Sequence, residues 1–146
     1  MMGARPGVTS EPSEENVVLE QELAPFELFA SLSKREREVV SRFMDRVDIP
    51  SGRTLASEGS FAHEFFVIDS GEATVSRDNA PIRSLGPGDF FGEIALLEAD
   101  RRTATVTADT DMRLIVMHAR EFHSMMAEAP DVAERVRAVM RERLEH

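Results

Sequence analysis

The sequence predicts a mainly β fold with flanking α-helices. Between Val47 and about His118, short apolar runs alternate with a two-residue period and are interrupted by Gly52, Gly59, Gly71, Asp78-Asn79 and Gly86-Pro87-Gly88. Turn residues at that spacing point to an all-β roll or sandwich. On either side, the apolar period lengthens to that of a helix. The 146 residues suit one domain with a sizeable core.

The elements follow in order. Met1 to Gln21 is rich in Gly, Pro, Ser and Glu and reads as a disordered tail, because it offers too little apolar surface to offset its ordering entropy. Helices are expected over 22–46. In "FELFASLSKREREVVSRFMDRV", Val39, Val40, Phe43 and Val47 recur at helical spacing, and Ser33 with Glu36 makes a capping box. The β roll is expected over 47–118 and closes on the apolar strand "RLIVMH". Two helices are expected over 119–143, with Pro130 in the first turn of the second and Val132, Val136, Val139, Met140 and the stem of Arg143 on one face. Leu144, Glu145 and His146 read as the start of a polyhistidine tag and are set aside.

Composition narrows the function classes. A net charge of −10 argues against broad binding to nucleic acid or an anionic membrane, so any anionic ligand must be caught locally. No apolar run reaches membrane-spanning length and no export signal is visible, which makes a cytoplasmic location the expectation. The lack of cysteine removes disulfides, thiolate catalysis and sulfur-ligated zinc. Arginine supplies all but one of the 17 basic residues, in keeping with a GC-rich bacterial genome. His63, His118 and His123 lie on separate segments, against the converging ligands a cupin-type metal enzyme needs. No serine, histidine and acid set stands at a nucleophile turn. Neither catalytic residues nor a metal site are expected, and the chain reads as a non-enzyme.

The stretch "FGEIALLEADRRTATV", Phe91 to Val106, carries the chemistry. A helix start near Gly92 and Glu93 exposes unpaired amides suited to a phosphate, and glycine there admits close approach. Arg102 enters a strand that reads as core, where a guanidinium needs an anionic partner. A phosphate suits its fork. Glu93 is placed to accept from a sugar hydroxyl. The alternative is that Glu93 and Arg102 simply pair across a loop.

This stretch resembles the phosphate-binding cassette of the cyclic nucleotide-binding domain family: Phe91, Gly92, Glu93, Ile94, Ala95 and Leu96, then Arg102, Thr103, Ala104, Thr105 and Val106. The likeness extends from Phe26 onward, through "EGSFAHEFFVIDSGEATV" and "LGPGDFFGE". Two departures stand out: Arg101 where many members have proline, and Ala62-His63 in place of a common Gly-Asp turn. The resemblance implies a double-stranded β-helix (jelly-roll) β roll with short N-terminal helices, a cassette helix and two C-terminal helices. It implies that Glu93 takes the ribose 2′-hydroxyl, Arg102 the exocyclic phosphate oxygens, and the Ile94 and Ala95 amides complete the cradle.

Thr103 and Arg83 resemble the arrangement of cGMP-selective sites, yet a threonine also serves sites that prefer cAMP; cAMP is favoured over cGMP. Ile82, Arg83, Met140 and Arg143 are candidates to contact the base, with Met140 packing on the purine or Arg143 stacking on it. The last helix would close over the ligand and signal to an unidentified protein effector, with a homodimer as one arrangement. A protein-interaction module that kept the fold without the nucleotide is the rival reading. A transcription factor would need a helix-turn-helix after the last helix and the sequence stops before one, so the expectation is either a stand-alone sensor or a piece of something longer, with no direct nucleic-acid binding of its own.

Overall fold

The computed structural model describes residues 17–99 and 101–145. A short helix α1 (Glu20–Leu23), a 3₁₀ turn (Glu27–Phe29) and α2 (Lys34–Ser41) precede eight strands, and two helices follow them. The strands are β1 (Asp45–Ile49), β2 (Thr54–Ala56), β3 (Glu64–Ser70), β4 (Ala73–Arg77), β5 (Ala80–Leu85), β6 (Phe90–Phe91), β7 (Thr105–Ala108) and β8 (Met112–His118). They form two antiparallel four-stranded sheets, ordered β1-β8-β3-β6 and β2-β7-β4-β5, with no closed barrel. The C-terminal helices are α3 (Ala119–Glu128) and α4 (Pro130–Leu144).

The mainly β architecture with flanking helices is as the sequence predicts. The expected capping box is formed: the Glu36 amide donates to Ser33 Oγ at 3.1 Å, and the Ser33 amide to Glu36 Oε1 at 2.8 Å. Pro130 opens α4, where its missing N–H leaves no helical bond unmade. Asp78 and Asn79, both at positive φ, make the tight β4–β5 turn.

Some boundaries differ. Strand β1 starts at Asp45, two positions before the expected roll, because Asp45 pairs in register with Val116. The disorder expected for Met1–Gln21 lies outside the described residues as far as 16; from there on, structure replaces it. Val17 bridges Asp45, Val18 is buried, and α1 begins at Glu20. Arg46 Nη1 donates to the Val17 carbonyl at 3.3 Å and pairs with Glu22, tying this segment to β1. Of the three residues set aside as a tag remnant, Leu144 ends α4 and His146 lies outside the described residues.

Two cores share one sheet. Phe66, Ile68, Leu114 and Val116 face the opposite sheet, meeting Ala73, Val75, Leu85 and Val106. Phe65, Val67, Ile115 and Met117 face the helices, meeting Phe29, Phe122, Met125, Val132 and Val136. Both faces of β3 and β8 are therefore covered, which is why "FFVI" and "LIVM" are continuous apolar runs. The other sheet keeps its outer face in water, and β4 and β7 show the alternation expected of that arrangement.

Candidate functional site

Strand β6 is two residues long and pairs with β3, stacking Phe91 on Phe66 with ring centroids 4.6 Å apart. Its entry is fixed by "GPGD", in which the Gly86 amide donates to Asp89 Oδ2 at 2.8 Å. Its exit is Gly92 at φ +99°, a conformation that suits glycine. Helical turns then start at Glu93 and widen to a π-type turn over Ala95–Ala99. That geometry recurs at functional sites.

The chain returns beside the β2–β3 loop. Phe61 and Arg101 form an isolated bridge, and Arg101 lies 4.0 Å from the exposed Phe61 ring. The Arg102 amide donates to Ser60 O at 2.7 Å, and the Gly59 amide to Arg102 O at 2.9 Å. These bonds seat Arg102 against β3. Its Nη2 donates to the Glu64 carbonyl at 2.8 Å and its Nη1 to the Gly92 carbonyl at 3.2 Å. The guanidinium lies 5.9 Å from the Phe66 ring. Burial lowers its pKa, partly countered by the fields of Glu64 and Glu93; an arginine remains charged throughout.

Glu93 is 1% exposed and does not pair with Arg102. Its partner comes from the far end of the chain: Arg143 Nη1 donates to both carboxylate oxygens, at 2.9 and 2.8 Å. Arg143 also lies 5.2 Å from the Phe90 ring. The loop pairing weighed for Glu93 and Arg102 is thus absent, and both charges border one cleft instead.

That cleft is lined by Gly92, Glu93, Ile94, Ala95, Arg102 and Thr103, and by Ile82, Arg83 and Arg143. Nine of the ten residues singled out from the sequence come together. Met140 does not; it is buried and absent from the lining, because its position on α4 turns it into the protein. Arg143 reaches the cleft, but in the structure its guanidinium engages Glu93.

Two features escaped the sequence. Arg77 lines the cleft and its Nε donates to the Thr103 carbonyl at 3.1 Å. The signal was the β4 alternation, which puts Arg77 on the face of Val75, and Val75 lies opposite Arg83. The Glu64 carbonyl, an anchor for Arg102, carried no signal at all. Four arginines and one carboxylate therefore face the cleft of a chain with net charge −10. Burial, and next the neighbouring Arg143, lower the pKa of Arg83, while Glu93 acts in the opposite sense. Among the described residues no group of three or more His, Asp or Glu could hold a metal ion, and no helix is long and apolar enough to cross a membrane.

A mainly β scaffold whose glycine-led helical turn and buried arginine border one cleft has the form of a ligand-binding domain. The chain belongs to the cyclic nucleotide-binding domain family, which it matches over residues 46–129. It is 35% identical over 106 residues to a cyclic nucleotide-gated potassium channel of Rhizobium etli, covering 73% of this chain and 29% of the channel. It is 33% identical over 110 residues to the cAMP-dependent protein kinase regulatory subunit of Aspergillus fumigatus, covering 74% of this chain and 27% of the subunit. The chain thus spans under a third of these relatives' length. A solved structure of PKAR CBD2 bound to Sp-2Cl-cAMPS superposes with a TM-score of 0.75, at 25% identity and 86% coverage of each chain.

Proposed function

We propose that this chain is a cyclic nucleotide sensor that binds cAMP in the cleft and signals through α4 to a protein effector. The observation that carries it is Arg102: a buried cation whose recorded partners are two neutral carbonyls, in a cleft with a carboxylate it does not pair with. Its fork has five N–H donors, of which these bonds use two, leaving donors for a phosphate. Glu93 would accept from the ribose 2′-hydroxyl, the Ile94 and Ala95 amides and Thr103 would complete the phosphate cradle, and Ile82 would lie against the base. The resemblance supports these roles, as do the names of the kinase-subunit relatives, which refer to cAMP.

Helix α4 is joined to the cleft through Arg143 and Glu93, so a ligand that touches Glu93 touches the attachment of α4. The signal is a shift between docked and undocked α4, limited by the ligand's differential affinity for the two states.

A second reading, cGMP as the ligand, is favoured by Arg83, which lines the cleft and whose guanidinium has no hydrogen-bond or ion-pair partner among the described residues. Its fork matches the paired acceptors O6 and N7 of guanine. Calorimetric titration with cAMP and with cGMP tests both. cAMP is expected to bind more tightly, and Arg102→Ala to lose at least about a hundredfold, roughly 3 kcal/mol for a charge-assisted pair. Tighter cGMP binding that collapses in Arg83→Ala would establish the second reading. If neither nucleotide binds at millimolar concentration, the sensor reading is wrong.

A further inference from the structure

Resting on that reading of the cleft, we infer that Arg77 and Arg83 form a second phosphate subsite on the β4–β5 hairpin, beside the one that Arg102 supplies. The charge count of the whole cleft leads there. Its lining holds four arginines, Arg77, Arg83, Arg102 and Arg143, and Glu93 as the carboxylate. Arg143 is matched by Glu93, and Arg102 is matched by the cyclic phosphate once nucleotide binds. Two cations are left over. Adenine gives Arg83 no paired acceptors, because its N7 acceptor stands beside the N6 amino donor. Neither Arg77 nor Arg83 has an ion-pair partner among the described residues. Glu58, which reaches the β4–β5 turn, accepts the Asp78 amide at 3.0 Å and pairs with neither.

The strand register makes these two arginines converge. Val75 lies opposite Arg83 in the β4–β5 ladder and Arg77 follows Val75 by two positions, so Arg77 and Arg83 are diagonal neighbours on the cleft face. Such neighbours stand about 7–8 Å apart, within reach of long side chains. The register slips after Val75, where Ser76 lies opposite Pro81. That bulge lets Ile82 and Arg83, consecutive in β5, both line the cleft. Arg77 Nε donates to the Thr103 carbonyl at 3.1 Å, which orients the guanidinium and leaves Nη1 and Nη2 for an acceptor. Burial and the Arg143 field do most to lower the pKa of Arg83, and the Arg77 field adds to them. Like charges so placed repel each other in the ligand-free cleft. A phosphate between them replaces that repulsion with charge-assisted contacts to two forks. Thr103 follows Arg102 directly, so the two subsites are adjacent, an arrangement that suits two phosphates separated by one nucleoside.

The second phosphate comes either free or as part of the ligand, and two calorimetric arms on the full chain separate these sources. In the first, inorganic phosphate is titrated into the cAMP-saturated protein at constant ionic strength. In the second, cyclic di-AMP, which carries two phosphates, is compared with cAMP. The expected result is phosphate binding in the first arm, marking a free ion, or cyclic di-AMP binding at least about fivefold tighter than cAMP, marking a ligand phosphate. Arg77→Ala and Arg83→Ala should each abolish the phosphate binding, or bring the cyclic di-AMP to cAMP ratio down to about one. Arg77→Lys, which keeps the charge, should recover part of the loss. A smaller wild-type ratio together with no phosphate binding overturns the inference. So does a signal that survives both alanine variants, since the anion would then sit elsewhere. If cAMP itself does not bind, the sensor reading falls, and phosphate is titrated into the ligand-free protein instead. Binding that is lost in Arg77→Ala and kept in Arg102→Ala then supports the subsite, and any other pattern overturns it.

Discussion

Gly92→Ala probes the joint between fold and site. Gly92 sits at φ +99°, and a Cβ there would lie 2.8 Å from the Glu64 carbonyl oxygen, 2.9 Å from Arg102 Nη1 and 3.5 Å from Phe65 Cα. Two penalties add. The backbone conformation costs an L-residue about 1–3 kcal/mol. Forcing a methyl against a β3 carbonyl that cannot move without disturbing the β3–β8 ladder costs about 1–3 kcal/mol more. The sum, about 2–6 kcal/mol, is a large part of the roughly 5–15 kcal/mol that holds such a domain together. For a chain of this size it corresponds to a melting temperature lower by roughly 6–20 °C.

Gly59→Ala is the control. Gly59 also has positive φ, +83°, but its Cβ would meet nothing within 4 Å. It should carry the conformational cost alone, about 1–2 kcal/mol. Thermal unfolding followed by circular dichroism compares the two. The added methyl at position 92 also crowds Arg102 Nη1, which donates to the Gly92 carbonyl. Gly92→Ala should therefore weaken nucleotide binding, whereas Gly59→Ala should largely spare it. If Gly92→Ala melts no lower than Gly59→Ala and binds as the wild type does, the packing of the cassette against β3 has been misread.

Two further measurements bear on stability alone. Ser33→Ala removes one half of the α2 capping box and should cost about 1 kcal/mol, a fall of a few degrees in the melting temperature. Asp45 titrates above its usual 3.8, chiefly because of burial, with His118 acting to lower its pKa and Glu121 to raise it. A carboxyl raised in the fold is held in the less favourable ionised state at neutral pH, so its penalty is relieved as pH falls through the folded pKa towards 3.8. Asp45→Asn should therefore melt at or above the wild type at pH 7, with the gap closing as pH approaches about 4. A gap that widens on acidification would reverse the sign and point to a favourable Asp45 to His118 attraction as the dominant effect.

The cassette was legible because its parts are close in sequence. Phe91 to Val106 holds the short strand, the glycine, the carboxylate, the helical turn and the arginine, and each has a local physical reason to be there. The Ser33 and Glu36 box was legible for the same reason, since both halves lie within one helical turn. Met140 misled because the apolar face of α4 is visible in the sequence, but what that face packs against is not. Val132 and Val136 of the same stripe join the helix-facing core, and Met140 is buried as well but lies outside the cleft lining.

By itself, then, the sequence determined the mainly β class, the flanking helices and the chemistry gathered between Gly92 and Thr103, because periodicity, capping and turn formation act over a few residues. Tertiary structure alone decided which charges meet. Glu93 and Arg143 lie 50 positions apart and come together only because α3 and α4 fold back over the sheet that holds β6. Arg102 finds the Glu64 carbonyl 38 positions away because the loop before β7 lies along the β2–β3 loop. A buried charge must find a partner, and with several carboxylates and carbonyls available in the chain, only the packing of the elements selects which one it finds.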